Sequence, residues 1–142
     1  MVEVLNRQRG RKIGPGPWRE FAEKALRAVG RQEESATVVF VSDRAIIDLN
    51  RRFRGRKRAT DVLSFPIEAA RFERSIDSHL GDVVVSVERA ETQAKEHGLS
   101  FQNEVKQLIL HGLLHLCGYD HETDSGQMNR LELRLRRRLE IE

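Results

Sequence analysis

The run Thr37-Val38-Val39-Phe40-Val41 constrains the fold more than any other feature of this chain. It is β-branched or aromatic throughout, so it reads as a strand buried on both faces. A strand of that kind needs a sheet and helices packed against it, and the rest of the chain supplies both. Met1–Asn6 alternates Val2 and Val4 with Glu3, the pattern of a short strand with one buried face. Thr60-Asp61-Val62-Leu63-Ser64-Phe65-Pro66 reads as a third strand stopped by proline, and Gly81-Asp82-Val83-Val84-Val85-Ser86 as a fourth. Between them, the polar stretch from Ile67 to Leu80 is expected as a long loop.

Helical spacing fills the remaining segments. Pro17 suits a helix start, Trp18, Phe21, Ala22, Ala25, Leu26 and Val29 form a core-facing stripe, and Gly30 closes it. Ser42 or Asp43 caps a second helix bearing Ile46, Ile47, Leu49 and Asn50. Val87, Ala90, Glu91 and Ala94 share a face of a third, which Gly98 ends. Ser100 caps a fourth, with Phe101, Val105, Leu108, Ile109 and Leu113 inward. Asp124 with Gln127 resembles a capping box for a fifth, with Met128, Leu131, Leu135 and Leu139 on its buried stripe. The expected class is α+β: a single layer of about four mixed strands packed against roughly five helices. With no repeat or linker, the 142 residues are expected to form one domain spanning 1–142.

Composition excludes several classes. One Cys rules out an internal disulfide framework and a multi-thiolate zinc site. A hydrophobic share of 39% with a net charge of +3 does not suit a disordered chain. No apolar run approaches the ~20 residues of a membrane helix, and Met1–Arg7 does not read as a secretory signal. A cytoplasmic protein with no membrane partner is expected; nothing sets its oligomeric state.

The positive charge is concentrated. Arg51-Arg52-Phe53-Arg54-Gly55-Arg56-Lys57-Arg58 holds six basic side chains in eight positions with no acid. It reads either as a polyanion contact or as solvated surface. Arg7, Arg9, Arg11 and Lys12 add charge near the start. Arg134, Arg136, Arg137 and Arg138 stand near Glu132, Glu140 and Glu142 and read as solvated surface.

Three of the five histidines lie within eleven residues, His111-Gly-Leu-Leu-His115-Leu-Cys-Gly-Tyr-Asp-His121. His111 and His115 leave the same helix face with Cα atoms about 6 Å apart, the spacing by which a helix chelates one metal ion. Gly118 allows the chain to reverse, so His121 can return as a third ligand. Three imidazoles leave a fourth tetrahedral position open, the arrangement of catalytic rather than structural zinc. Zn²⁺ fits these donors, one per chain, and Ni²⁺ or Cu²⁺ would also bind them. The alternative is a helix whose histidines are incidental. Asp120 either orients a ligand imidazole or serves the turn. His79, in the polar loop, and His97, in a last helical turn, are not expected as ligands. Cys117 is expected as a buried thiol. The helix is zincin-like, but Gly112 stands where H-E-x-x-H carries its proton-accepting Glu, which disfavours a peptidase.

These residues resemble the YbeY family of bacterial endoribonucleases, also called rRNA maturation factors. The segment from His111 to His121 matches the family pattern H-G-x-L-H-L-x-G-Y-D-H. Asn50-Arg51-Arg52-Phe53-Arg54-Gly55, the segment from Thr60 to Pro66, and Leu80-Gly81-Asp82 match further. Ala59 departs from the proline usual before Thr60. The resemblance implies a zinc-type ion on His111, His115 and His121 and a functional arginine at Arg54. It also implies single-strand-selective cleavage in 16S rRNA 3′-end maturation and ribosome quality control, on the small subunit or its precursor. Arg54 can pair with phosphate and stabilise transition-state charge, while Arg51, Arg52, Arg56, Lys57 and Arg58 steer the RNA backbone. The group that moves protons stays open. A second class remains: a ribosome-assembly or RNA-binding factor whose metal is purely structural.

Overall fold

The computed structural model describes residues 1–54, 61–66, 79–120 and 123–141, with the side chain of Arg54 outside that set. The elements run β1 (Val2–Asn6), α1 (Pro15–Val29), β2 (Ser35–Val41), α2 (Asp43–Arg54), β3 (Val62–Pro66), β4 (His79–Ser86), α3 (Val87–His97), α4 (Phe101–Leu116) and α5 (Gln127–Arg138). The strands form one mixed sheet in the order β1-β2-β4-β3. β1 and β4 flank β2 in parallel, and β3 pairs antiparallel with β4 as an edge strand. The expected α+β order is therefore observed. No helix among the described residues is long and apolar enough to cross a membrane.

Most of the core lies on one face of the sheet. Val2, Val4, Ala36, Val38, Phe40, Val83 and Val85 point there and meet α1, α3, α4 and α5. Trp18 is buried and lies 6.0 Å from Phe40 between ring centroids, a core role as expected. α2 covers the other face, where Ile46 is buried with Val41, Leu63 and Val84. The two faces are thus unequal. β2 alternates between fully buried Ala36, Val38 and Phe40 and half-buried Thr37 and Val39, rather than being sealed on both sides.

Three local expectations shift. α1 begins at Pro15, two residues before Pro17, because both prolines fit a first turn whose N–H groups have no helical partner. His79 and Leu80 belong to β4, while 67–78, expected as loop, lies outside the described residues. α5 is capped at Gly126 rather than Asp124. Asp124 still accepts from the backbone N–H groups of Gly126 and Met128 at 2.8 and 2.9 Å, and Gln127 accepts from that of Ser125 at 2.6 Å. The reciprocal capping exchange survives, one residue out of register.

Candidate metal centre

α4 is the central helix, with Val105, Leu108, Ile109, Leu110, Leu113 and Leu114 all buried. Gly112 lets it press onto the sheet. A Cβ there would lie 2.6 Å from Val83 Cγ1 and 3.2 Å from Ser64 Oγ, and the Ser64 hydroxyl donates to the Gly112 carbonyl at 3.2 Å. No glutamate fits at this position, so the residue that distinguishes this helix from H-E-x-x-H is also a packing requirement.

On either side of that contact, His111 and His115 converge. Their Nε2 atoms are 3.1 Å apart, with ring centroids 4.7 Å apart and planes at 77°. Both rings are partly buried. The Nδ1–H of His111 donates to Glu132 Oε1 of α5 at 2.9 Å. Glu132 is 8% exposed, and Arg136 Nη2 lies 4.0 Å from its second oxygen. Burial alone pushes the Glu132 carboxyl up, but the His111 hydrogen bond and the charges of His111, Arg136 and His115 outweigh it. The net shift is downward, so Glu132 stays a carboxylate. A carboxylate only accepts, so the proton between them sits on His111 Nδ1, and the ring's other nitrogen, Nε2, faces His115.

This donor set fits a zinc-type ion. Tetrahedral zinc with bonds of ~2.0–2.1 Å sets its ligand nitrogens roughly 3.3 Å apart. The observed 3.1 Å needs little adjustment. Among the described residues no group of three metal-ligating side chains is assembled, and His121 lies outside them. The chain does turn where His121 would require it. Gly118 takes φ 97°, and Tyr119 N–H donates to Leu114 O at 3.1 Å. The Asp120 carbonyl accepts from the N–H groups of Thr123 and Asp124 at 3.2 and 3.1 Å, so its main chain serves that turn. Cys117 is half-buried rather than fully buried, and burial pushes its thiol pKa up.

The basic positions divide. Arg51 and Arg52 are exposed on α2 and tied to Asp48 at 2.9 and 3.2 Å. Arg54 is the last residue of α2, and Arg56, Lys57 and Arg58 lie outside the described residues. His79 Nδ1 is hydrogen-bonded to Ser35 Oγ at 2.8 Å, and His97 Nδ1 donates to Glu104 at 2.8 Å, both away from the His111–His115 pair. Sequence reasoning missed Glu132, grouping it with the solvated C-terminal charges. The signal was its register: position 132 falls between Met128 and Leu135 on the apolar stripe of α5, where an acid needs a buried partner.

The fold and site define a class, a mixed-sheet α+β protein whose central helix presents a carboxylate-oriented histidine pair. Within that class, the model of the family described as Endoribonuclease YbeY matches residues 3–140. The chain is 37% identical to the Endoribonuclease YbeY of Geobacter metallireducens over 95% of its own length and 91% of the relative's. It is 43% identical to that of Aquifex aeolicus over 84% and 77% of the two chains. It also resembles the solution structure of TM1509 from Thermotoga maritima, with a TM-score of 0.64 and 28% identity over 98% of this chain and 89% of that one. The chain belongs to the YbeY endoribonuclease family, and membership supports an endoribonuclease role, that of a nuclease among the hydrolases.

Proposed function

We propose that the chain is a single-strand-specific, metal-dependent endoribonuclease that acts on rRNA in 16S 3′-end maturation and ribosome quality control. Residues 1–142 work as one cytoplasmic domain on the small ribosomal subunit or its precursor. One zinc ion per chain is held by His111, His115 and His121, and Ni²⁺ can substitute. The observation that carries this reading is the convergence of two Nε2 atoms at 3.1 Å, one of them oriented by a buried carboxylate at 2.9 Å. Family membership directs it toward RNA.

Bound there, the ion supplies Lewis acidity toward a phosphoryl oxygen. Glu132 keeps the Nδ1 proton in place and the His111 lone pair aimed inward. Arg54 pairs with the phosphate under attack and stabilises charge as it develops. Arg51, Arg52, Arg56, Lys57 and Arg58 attract the backbone, and Asp120 holds the turn that delivers His121.

The test is metal analysis paired with cleavage of single-stranded rRNA by the wild type, His115→Ala and Arg54→Ala. His115→Ala should lose both bound zinc and cleavage, whereas Arg54→Ala should keep zinc and cleave at least about a hundredfold more slowly. Undiminished cleavage by zinc-free His115→Ala sinks the reading. Unchanged processing in cells with a lower melting temperature for that variant would favour a structural metal.

A further inference from the structure

We propose that the outer face of α5 is a second RNA contact, a phosphate-binding track of Arg130, Arg134, Arg137 and Arg138. This rests on the endoribonuclease reading and extends it to residues outside the basic segment of α2. At 3.6 residues per turn these four positions fall within an arc of about 100°, spread over roughly 12 Å of helix axis. All four are exposed. Arg130 reaches back to the Ser125 carbonyl at 3.4 Å. Among the described residues, none of Arg134, Arg137 and Arg138 has a carboxylate within 4.0 Å. By contrast, the exposed Arg51 and Arg52 of α2 are already paired with Asp48.

The arrangement of α5 separates charge by face. Its one acid, Glu132, is buried against His111 with Met128 and Leu135; Arg136 lies on that side, and the other four arginines lie on the opposite one. Cations in a last helical turn also complement the helix dipole. That effect is confined to the last turn and leaves Arg130 and Arg134 unexplained. A membrane-surface helix would expose its apolar stripe, but this stripe is in the core, leaving Leu133 as the exposed large apolar side chain of α5. A protein partner would want aromatic or aliphatic anchors at the centre of the patch. Unpaired guanidiniums with almost no apolar surface match a phosphate chain.

The experiment is fluorescence anisotropy of a labelled oligouridylate mixed with the zinc-loaded full chain, read at once over about 50–200 mM salt. The test variant is Arg134→Gln/Arg137→Gln/Arg138→Gln. The control, Arg19→Gln/Lys24→Gln/Arg27→Gln, removes the same charge from exposed positions of α1. Three lost phosphate contacts should lower the slope of log affinity against log salt by about 2 in the test variant and leave the control near wild type. Equal losses in both variants would assign the effect to net charge and overturn the proposal. A greater loss of polyglutamate than of oligouridylate binding would overturn it in favour of an acidic protein. If wild type binds but never cleaves RNA, and the test variant alone loses slope, the track stands and the nuclease reading falls. If wild type cleaves RNA and the test variant keeps the full slope, the track falls and the nuclease reading stands.

Discussion

The two ends of α4 carry the same hydrogen-bonded pair and use it differently. At the N-terminal end, Glu104 is 2% exposed and accepts from His97 Nδ1 at 2.8 Å. At the C-terminal end, His111 Nδ1 donates at 2.9 Å to Glu132, which is 8% exposed. Both pairs join neighbouring helices, and both bury the carboxylate. They differ in the second ring nitrogen and in exposure. The His97 side chain is 54% exposed, whereas that of His111 is 30% exposed and turns Nε2 to within 3.1 Å of His115 Nε2. One pair is therefore a clasp between α3 and α4. The other turns its second ring nitrogen toward a neighbouring imidazole. A His–Glu contact alone does not mark a candidate metal site; a second imidazole 3.1 Å from the other ring nitrogen is what sets this pair apart.

Removing each carboxylate should separate the two roles, and the largest effect is expected at Glu132. Glu132→Ala should weaken zinc binding about 10–100-fold, the usual consequence of losing the group that orients a ligand histidine. Glu132→Gln should fall in between, since its amide oxygen still accepts from Nδ1–H but carries no charge. Glu104→Ala should leave zinc affinity unchanged while lowering the melting temperature. Competition with a chromophoric chelator reads the first, and thermal unfolding the second. Equal zinc affinities for Glu132→Ala and Glu104→Ala would erase the distinction.

Gly112→Ala gives the next largest effect and probes how closely α4 packs on the sheet. Alanine favours a helix interior over glycine by up to about 1 kcal/mol. The new Cβ would meet Val83, which is fully buried and cannot move aside. Overpacking should win, with a net destabilisation of about 1–3 kcal/mol in urea unfolding. Zinc affinity should also fall, because His111 must shift with its helix. A stabilised variant would mean that the close approach of α4 to β4 is not a constraint.

The element order was legible because each strand and helix has a clean period, and because Gly30, Gly98 and Ser100 end or begin helices as their chemistry dictates. His111 and His115 were legible for the same reason, since a four-residue spacing on one helix is local information. Glu132 was not, because its partner is 21 residues away on another helix and is brought near only by packing. The role of Gly112 was half legible. The sequence shows that a base is absent, but only the sheet face below explains why a side chain has no room. The half-covered face of β2 was misjudged for a related reason: a run of valines shows that burial is wanted, not how many helices supply it. Net charge hid the most. Arg51 and Arg134 look alike in sequence, yet one is paired with Asp48 and the other meets no carboxylate among the described residues.

The smallest expected effect lies at the exposed clasp and is read by pH. The Glu104 hydrogen bond and then its charge hold the His97 pKa above the ordinary 6.5. The folded chain therefore binds this proton more tightly than the unfolded one. The stabilisation is fully present below about pH 6.5 and is lost as pH rises through the folded value. Charge placement agrees with the sign: His97 sits in the last turn of α3 and Glu104 in the first turn of α4, where a cation and an anion respectively suit the helix dipoles. The loss is partial, because neutral His97 still donates from Nδ1 to the buried carboxylate. Wild type should accordingly lose melting temperature relative to His97→Gln between about pH 6 and 8, with the gap shrinking in high salt. A gap that widens as pH rises would mean that His97 and Glu104 do not pair as an ion pair in solution. The contrast between the two ends of α4 would then rest on the His111–His115 pair alone.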